Sequence, residues 1–174
     1  MYKCIVIEYI HGNLLKNIHQ MKIDDNIKIK IIFQIMIALQ YLHYHGFIYR
    51  DLKPNNIIFN DKGSIILIDF DRMISDSQDY QFTIDFQHDF IAPEVISGSS
   101  FSNKSDIYSL SKMIVFIFTD QFLQDNLQLK NMYDKCTLID YKKRPDISQL
   151  INSFYFDFFA KISFIDETDT IKND

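Results

Sequence analysis

Apolar residues recur in this chain with two different periods, and the switch between them divides it. Over residues 25–45, Ile27, Ile31, Ile35 and Leu39 return every four residues, and Ile32, Met36 and Leu42 widen the stripe. That spacing predicts a helix with a broad buried face, capped by Asp24 or Asp25 and stopped at Gly46. Beyond Gly46 the helical period is lost. Two short β-prone runs, Ile57-Ile58-Phe59 and Ile65-Ile66-Leu67-Ile68, flank Asn60-Asp61-Lys62-Gly63, where the glycine suits the turn of a hairpin.

The rest of the pattern is helical with breaks. Residues 105–119 are apolar on nearly every side from Ile107 onward, which is the pattern of a central buried helix. Residues 128–137 and 145–156 read as two further helices, 14–21 as a short one, and 92–96 as a helical turn begun by Pro93. The opening run K-C-I-V-I-E-Y-I at 3–10 reads as a strand that breaks at His11-Gly12-Asn13, and the polar residues 71–91 read as a surface segment. The expected class is mainly α, within an α+β family, with one short hairpin. Its final stretch, from about residue 160, is expected to fray.

Composition narrows the classes available. With 174 residues, 47% of them hydrophobic, the chain can bury a sizeable core. A net charge of −5 with interleaved signs argues against a nucleic-acid partner, which would require a basic stripe. The longest apolar runs, near 31–39 and 113–118, fall short of the roughly 18 residues of a membrane span. Cys4 and Cys136 lie far apart without ligand-like spacing, so reduced thiols in a cytoplasmic or nuclear setting are expected. The start M-Y-K-C-I-V-I-E does not have the layout of a signal peptide.

The densest chemistry lies at 47–71, F-I-Y-R-D-L-K-P-N-N-I-I-F-N-D-K-G-S-I-I-L-I-D-F-D. Asn56 stands just before the first hairpin strand and Asp69 just after the second, so antiparallel pairing brings them side by side, with Asp51 and Lys53 on the preceding loop. Two carboxylates, an amide oxygen and a lysine are groups suited to hard cations and phosphoryl oxygens. Alone, an Asp-x-Lys-x-x-Asn spacing is most often a set of polar side chains facing water. His43 and His45, ending a helix, read as cations at its C-terminus.

The set Y-R-D-L-K-P-N-N, then D-F-D beginning eighteen residues after Asp51, then A-P-E at 92–94, resembles the protein kinase signature in content and in order. The likeness extends over residues 1–158, as the hinge and large C-terminal lobe of a kinase-like domain, with 159–174 as a tail. It implies ATP and Mg²⁺ as cofactors and a protein substrate. Asp51 would be the base and Lys53 would stabilise the transferred phosphoryl group, while Asn56 and Asp69 would hold Mg²⁺. Ile58 would floor the adenine pocket, and the backbone of Glu8 to Ile10 would bond the base. Lys53, two positions after the aspartate, resembles serine/threonine kinases. Arg50 would receive a phosphorylated activation segment, with Ser75, Ser77, Tyr80 and Thr83 as candidate sites; Asp106 would brace the catalytic loop, and Arg144 would pair with Glu94.

The departures from that pattern are specific. A glycine-rich loop, a lysine strand and its paired glutamate helix have no counterpart, so the small β-rich lobe is missing from this sequence. Tyr49 replaces the usual histidine, Asp71 the glycine of the metal loop, and Phe86 and Gln87 stand where a glycine and a threonine are expected. The chain between Thr119 and Cys136 is short, which reduces a substrate-docking helix. The leading expectation is a truncated catalytic domain. The alternative is an inactive lobe that serves as a scaffold or binds a regulatory protein.

Overall fold

A computed structural model describes residues 8–76, 89–98 and 101–159. Its backbone follows the two periods. Helix α1 (Asp25–Tyr44) begins where the Asp24 carboxylate accepts from the Ile27 amide at 2.8 Å, and ends before Gly46, whose φ of +73° favours glycine. Ile31, Ile32, Ile35, Met36 and Leu39 are its fully buried face. Helix α3 (Asn103–Asp125) is the central element, burying Ile107, Leu110, Met113, Ile114 and Ile117. It runs beyond the expected end at 119, breaking at Thr119, whose φ of +72° is an outlier for a β-branched residue. Helices α4 (Leu127–Cys136) and α5 (Ile147–Phe158) pack on α3 and α1 respectively, and α2 (Pro93–Ile96) is the single turn that Pro93 begins.

The strands are short and sit at one end of this helical body. Strand β3 (Ile57–Phe59) pairs antiparallel with β4 (Ile65–Leu67), with Ile57 opposite Leu67 and Phe59 opposite Ile65. The segment expected to break at 11–13 instead supplies β1 (Asn13–Leu14), which pairs with β3 and gives the order β1-β3-β4. The reason is visible at Gly12: a Cβ there would stand 2.6 Å from the Phe59 carbonyl oxygen and 2.7 Å from the Ile58 side chain. Only glycine lets the chain come this close, so the break is also the point of docking. Of the strand expected over 3–10, residues 8–10 are irregular and 3–7 lie outside the described residues. A 3₁₀ turn, Leu15–Gln20, stands where a short helix was expected and buries Leu15 and Ile18.

A second ribbon lies inside the stretch expected to be polar surface. Strand β2 (Phe47–Ile48) pairs with β5 (Ile74–Ser75), with Ile48 opposite Ile74, and thereby folds the start of that stretch back onto the loop that follows β2. The fold is a mainly α lobe with small sheets at one edge. No helix among the described residues is long and apolar enough to cross a membrane.

Candidate active site

The loop between β2 and β3 is held from below by a buried carboxylate. Asp106, fully buried on α3, accepts from the amides of Tyr49 at 2.9 Å and Arg50 at 2.8 Å, and lies 2.8 Å from His43 Nε2. Arg50 is left-handed at φ +70°, a conformation costly for a side chain with a Cβ, and two amide bonds to one carboxylate hold it there. His43 is therefore a partner of Asp106, correcting its reading as a helix-end cation. Its ring is buried on α1 and joins that helix to the loop.

Above this anchor, Asp51 is 2% exposed and densely bonded. Lys53 Nζ donates to its two carboxylate oxygens at 2.9 and 2.7 Å. Asn56 Nδ2 donates both to Asp51 Oδ2 at 2.8 Å and to the Asp51 carbonyl at 2.9 Å. The Asn56 amide is thereby oriented, with its nitrogen committed to Asp51. On the backbone, the Ile68 amide donates to the Asn56 carbonyl at 3.0 Å, so the hairpin delivers Asp69 one residue from this contact. Asp69 is exposed and left-handed at φ +66°. Asp71, the departure from glycine, has no such φ, so the side chain at 71 is accommodated without that backbone strain.

Two more residues join the site: Arg72, which motif spacing did not single out, and Tyr49, which the motif marked only as a replacement for the usual histidine. Arg72 Nε lies 3.7 Å from Asp51 Oδ2, bringing a second cation to the same carboxylate. Tyr49, buried beneath the loop, donates its hydroxyl to the Ile68 carbonyl and so ties the loop to the second hairpin strand. Burial, followed by the negative charges of Asp51 and Asp106, pushes its phenol well above the ordinary value, so it stays a donor. An isolated arginine next to D-F-D carries no periodic signal; the turn that folds 71–76 back toward the loop gives it meaning.

Glu8 is exposed and Ile10 half-buried in the irregular segment leading to Gly12, while Ile58 sits on β3 against Gly12. Arg50 lies with its guanidinium carbon 4.0 Å over the Phe101 ring. Ser75 is in β5, whereas Ser77, Tyr80, Thr83, Phe86 and Gln87 lie outside the described residues.

Farther from the loop, Arg144 and Glu94 form a two-pronged pair at 2.7 and 2.8 Å, with side chains 0% and 5% exposed. Arg144 also donates to the Leu138 carbonyl at 3.0 Å and the Lys104 carbonyl at 2.9 Å. These bonds join α2 to the start of α3 and to the loop before α5. Among the described residues, no group of three or more His, Cys, Asp or Glu is placed to hold a metal by itself. A cation here would share its ligands between Asn56, Asp69 and a phosphate.

A helical lobe that presents this braced loop beside the open end of a hairpin is of the protein kinase-like class. The protein kinase domain model matches residues 1–161, and the chain belongs to that family. It is 31% identical over 125 residues to mitogen-activated protein kinase kinase 1 of Arabidopsis thaliana, covering 68% of this chain and 35% of that protein. It is 32% identical over 144 residues to a probable serine/threonine-protein kinase of Dictyostelium discoideum, covering 80% of this chain and 33% of the relative. Dual specificity protein kinase zak2 of the same organism matches at 29% over 163 residues, covering 82% of the chain and 26% of the relative. The matched region is thus about a third or less of each of these relatives.

Proposed function

We propose that this chain forms the large lobe of a protein kinase that moves the γ-phosphoryl group of ATP to a serine or threonine hydroxyl of a protein. The observation that carries this is the convergence of Lys53 and Asn56 on the buried Asp51 carboxylate, with Asp69 brought alongside by the hairpin. Phosphoryl transfer asks a protein mainly to position groups and to offset charge. Asp51 would orient the acceptor hydroxyl and take its proton. Lys53, now bonded to both oxygens of Asp51, would turn part of its charge toward the phosphoryl oxygens. Asn56 and Asp69 offer hard oxygen donors fitted to Mg²⁺, which when bound neutralises phosphate charge. Glu8, Ile10 and Ile58 would line the base-binding edge. Asp106, Glu94 and Arg144 would hold the frame, and Arg50 would be the point at which phosphorylation of the activation segment is sensed.

The test is transfer of labelled phosphate from Mg-ATP to a protein acceptor, by a polypeptide in which this segment follows a glycine-rich loop and a lysine strand. Asp51→Asn is expected to lower turnover by about 10²-fold or more, the scale of a lost general base, while the chain still unfolds cooperatively in urea. Turnover that survives the substitution would remove Asp51 from this role. The 174-residue chain alone has only four glycines and no glycine-rich loop to cover the phosphates. Its Mg-ATP affinity is expected near the millimolar range, about −4 kcal/mol, and a micromolar constant by calorimetry would contradict this.

A further inference from the structure

A cavity of about 650 Å³ opens between the end of α1, the start of α3 and the first turn of α5, and none of residues 47–72 lines it. Its wall includes Gln40, His43 and Tyr44 of α1 with Ile147 and Ser148 of α5. One of these side chains asks for a partner. His43 is 6% exposed, and its Nε2 lies 2.8 Å from Asp106, which already accepts from two amides. Asp106 therefore accepts from the histidine too, so the neutral ring carries its proton on Nε2 and leaves Nδ1 as a lone-pair acceptor. Nδ1 has no partner among the described residues, and the ring lines the cavity. A buried acceptor without a donor costs free energy, which an N–H or O–H placed in the cavity would offset.

The rest of the wall narrows the class of guest. Asp146 is its one carboxylate among the described residues, and it is already taken up by Lys104 Nζ and by the Gln149 amide at the cap of α5. An ionised guest would lose its hydration and find no unpaired counter-charge. Tyr41 and Tyr44 are 65% and 86% exposed, and each packs its ring on His45, with centres 4.3 and 5.3 Å apart. Exposed rings that are already held in place suit the stacking of a flat guest. We propose that this cavity binds a small, neutral aromatic molecule whose N–H or O–H donates to His43 Nδ1. Because His43 also bonds Asp106, and Asp106 holds the amides of Tyr49 and Arg50, one continuous chain of hydrogen bonds links the guest to the loop after β2.

The test needs no phosphoryl transfer, so its outcome is independent of the kinase reading. Indole is titrated into the whole isotope-labelled chain and followed by NMR, with N-methylindole as nearly the same shape without its donor. Indole is expected to bind with a Kd of roughly a millimolar, on the scale of a fragment of about nine heavy atoms, and N-methylindole at least about fivefold more weakly. Amide shifts should centre on residues 40–44 and 147–149. At about ten times the Kd, exchange at the Tyr49 and Arg50 amides should slow several-fold, toward the roughly tenfold limit of mass action. Ser148→Phe gives up only the exposed bond from Gln40, leaves the His43–Asp106 contact in place, and should fill the cavity and remove binding. Equal affinity for the two indoles would overturn the proposal, because Nδ1 would then contribute nothing. So would the absence of saturable binding, shifts centred elsewhere, binding that survives Ser148→Phe in a folded chain, or unchanged exchange at Tyr49 and Arg50 at saturation.

Discussion

Asp106 shows how one side chain fixes the geometry of a loop. Its two oxygens accept from Tyr49 N and Arg50 N and meet the His43 ring. Asp106→Ala would leave two buried amides unpaired while Arg50 stays in a strained conformation, and a loss of about 2–5 kcal/mol is expected by urea denaturation. Asp106→Asn, which keeps one carbonyl oxygen, should cost less. Gly12 is the second such residue. Gly12→Ala places a methyl against the backbone oxygen of Phe59, which cannot swing aside as a side chain end can. It is expected to cost about 1–3 kcal/mol and to loosen the pairing of Leu14 with Ile58, seen as faster amide exchange there. Neither His43 nor Arg72 was legible as a site residue. A histidine near a helix end and a lone arginine fit many surfaces, and only the long-range approach of α3 and of the 71–76 turn gives them partners.

At the scale of elements, legibility follows from how local the cause is. Helix α1 could be read in full because its stripe, its Asp24 cap and its Gly46 stop are all written within about twenty residues. The hairpin was legible for the same reason. Strands β1 and β5 were not: each is two residues long and exists because of a partner far along the chain. The break at Thr119 also escaped, since the residue type argues against a positive φ. The Glu94–Arg144 pair was reached through the family resemblance, and its geometry explains its energetic weight. Arg144 ties α2 to the start of α3 and to the loop leading into α5. Arg144→Met should cost about 3–5 kcal/mol, because it strands the buried Glu94 carboxylate, and Glu94→Leu added to it should recover part of that loss. If the two substitutions were additive in a thermal melt series, the pair would not act as a unit.

For the whole molecule the decisive fact is that one apolar cluster is continuous from Leu15 and Ile18 through α1 and α3 to α4 and α5. Cys136 belongs to it, fully buried, and burial lifts its thiol from an ordinary 9.0 to about 12. The folded state therefore holds the thiol proton more tightly than the unfolded chain. The associated stability is complete below about pH 9 and is lost as pH rises toward about 12, while at pH 8 the thiol should label only after urea is added. A continuous core also sets the mode of unfolding. Ile114, fully buried on α3 between the two ends of the cluster, has no separate subdomain to protect it. Ile114→Ala is expected to cost about 2–5 kcal/mol, the range for a large-to-small change in a packed interior. That loss should appear equally in the amides of β3 and β4 and in those of α4, because the hairpin, packed on α1, and α4, packed on α3, share one apolar cluster. Hydrogen exchange in increasing urea decides the matter: a common midpoint for the hairpin and for α4, displaced together by Ile114→Ala, is the signature of one cooperative lobe, and two midpoints that move independently would mean that the hairpin edge folds apart from the helical body.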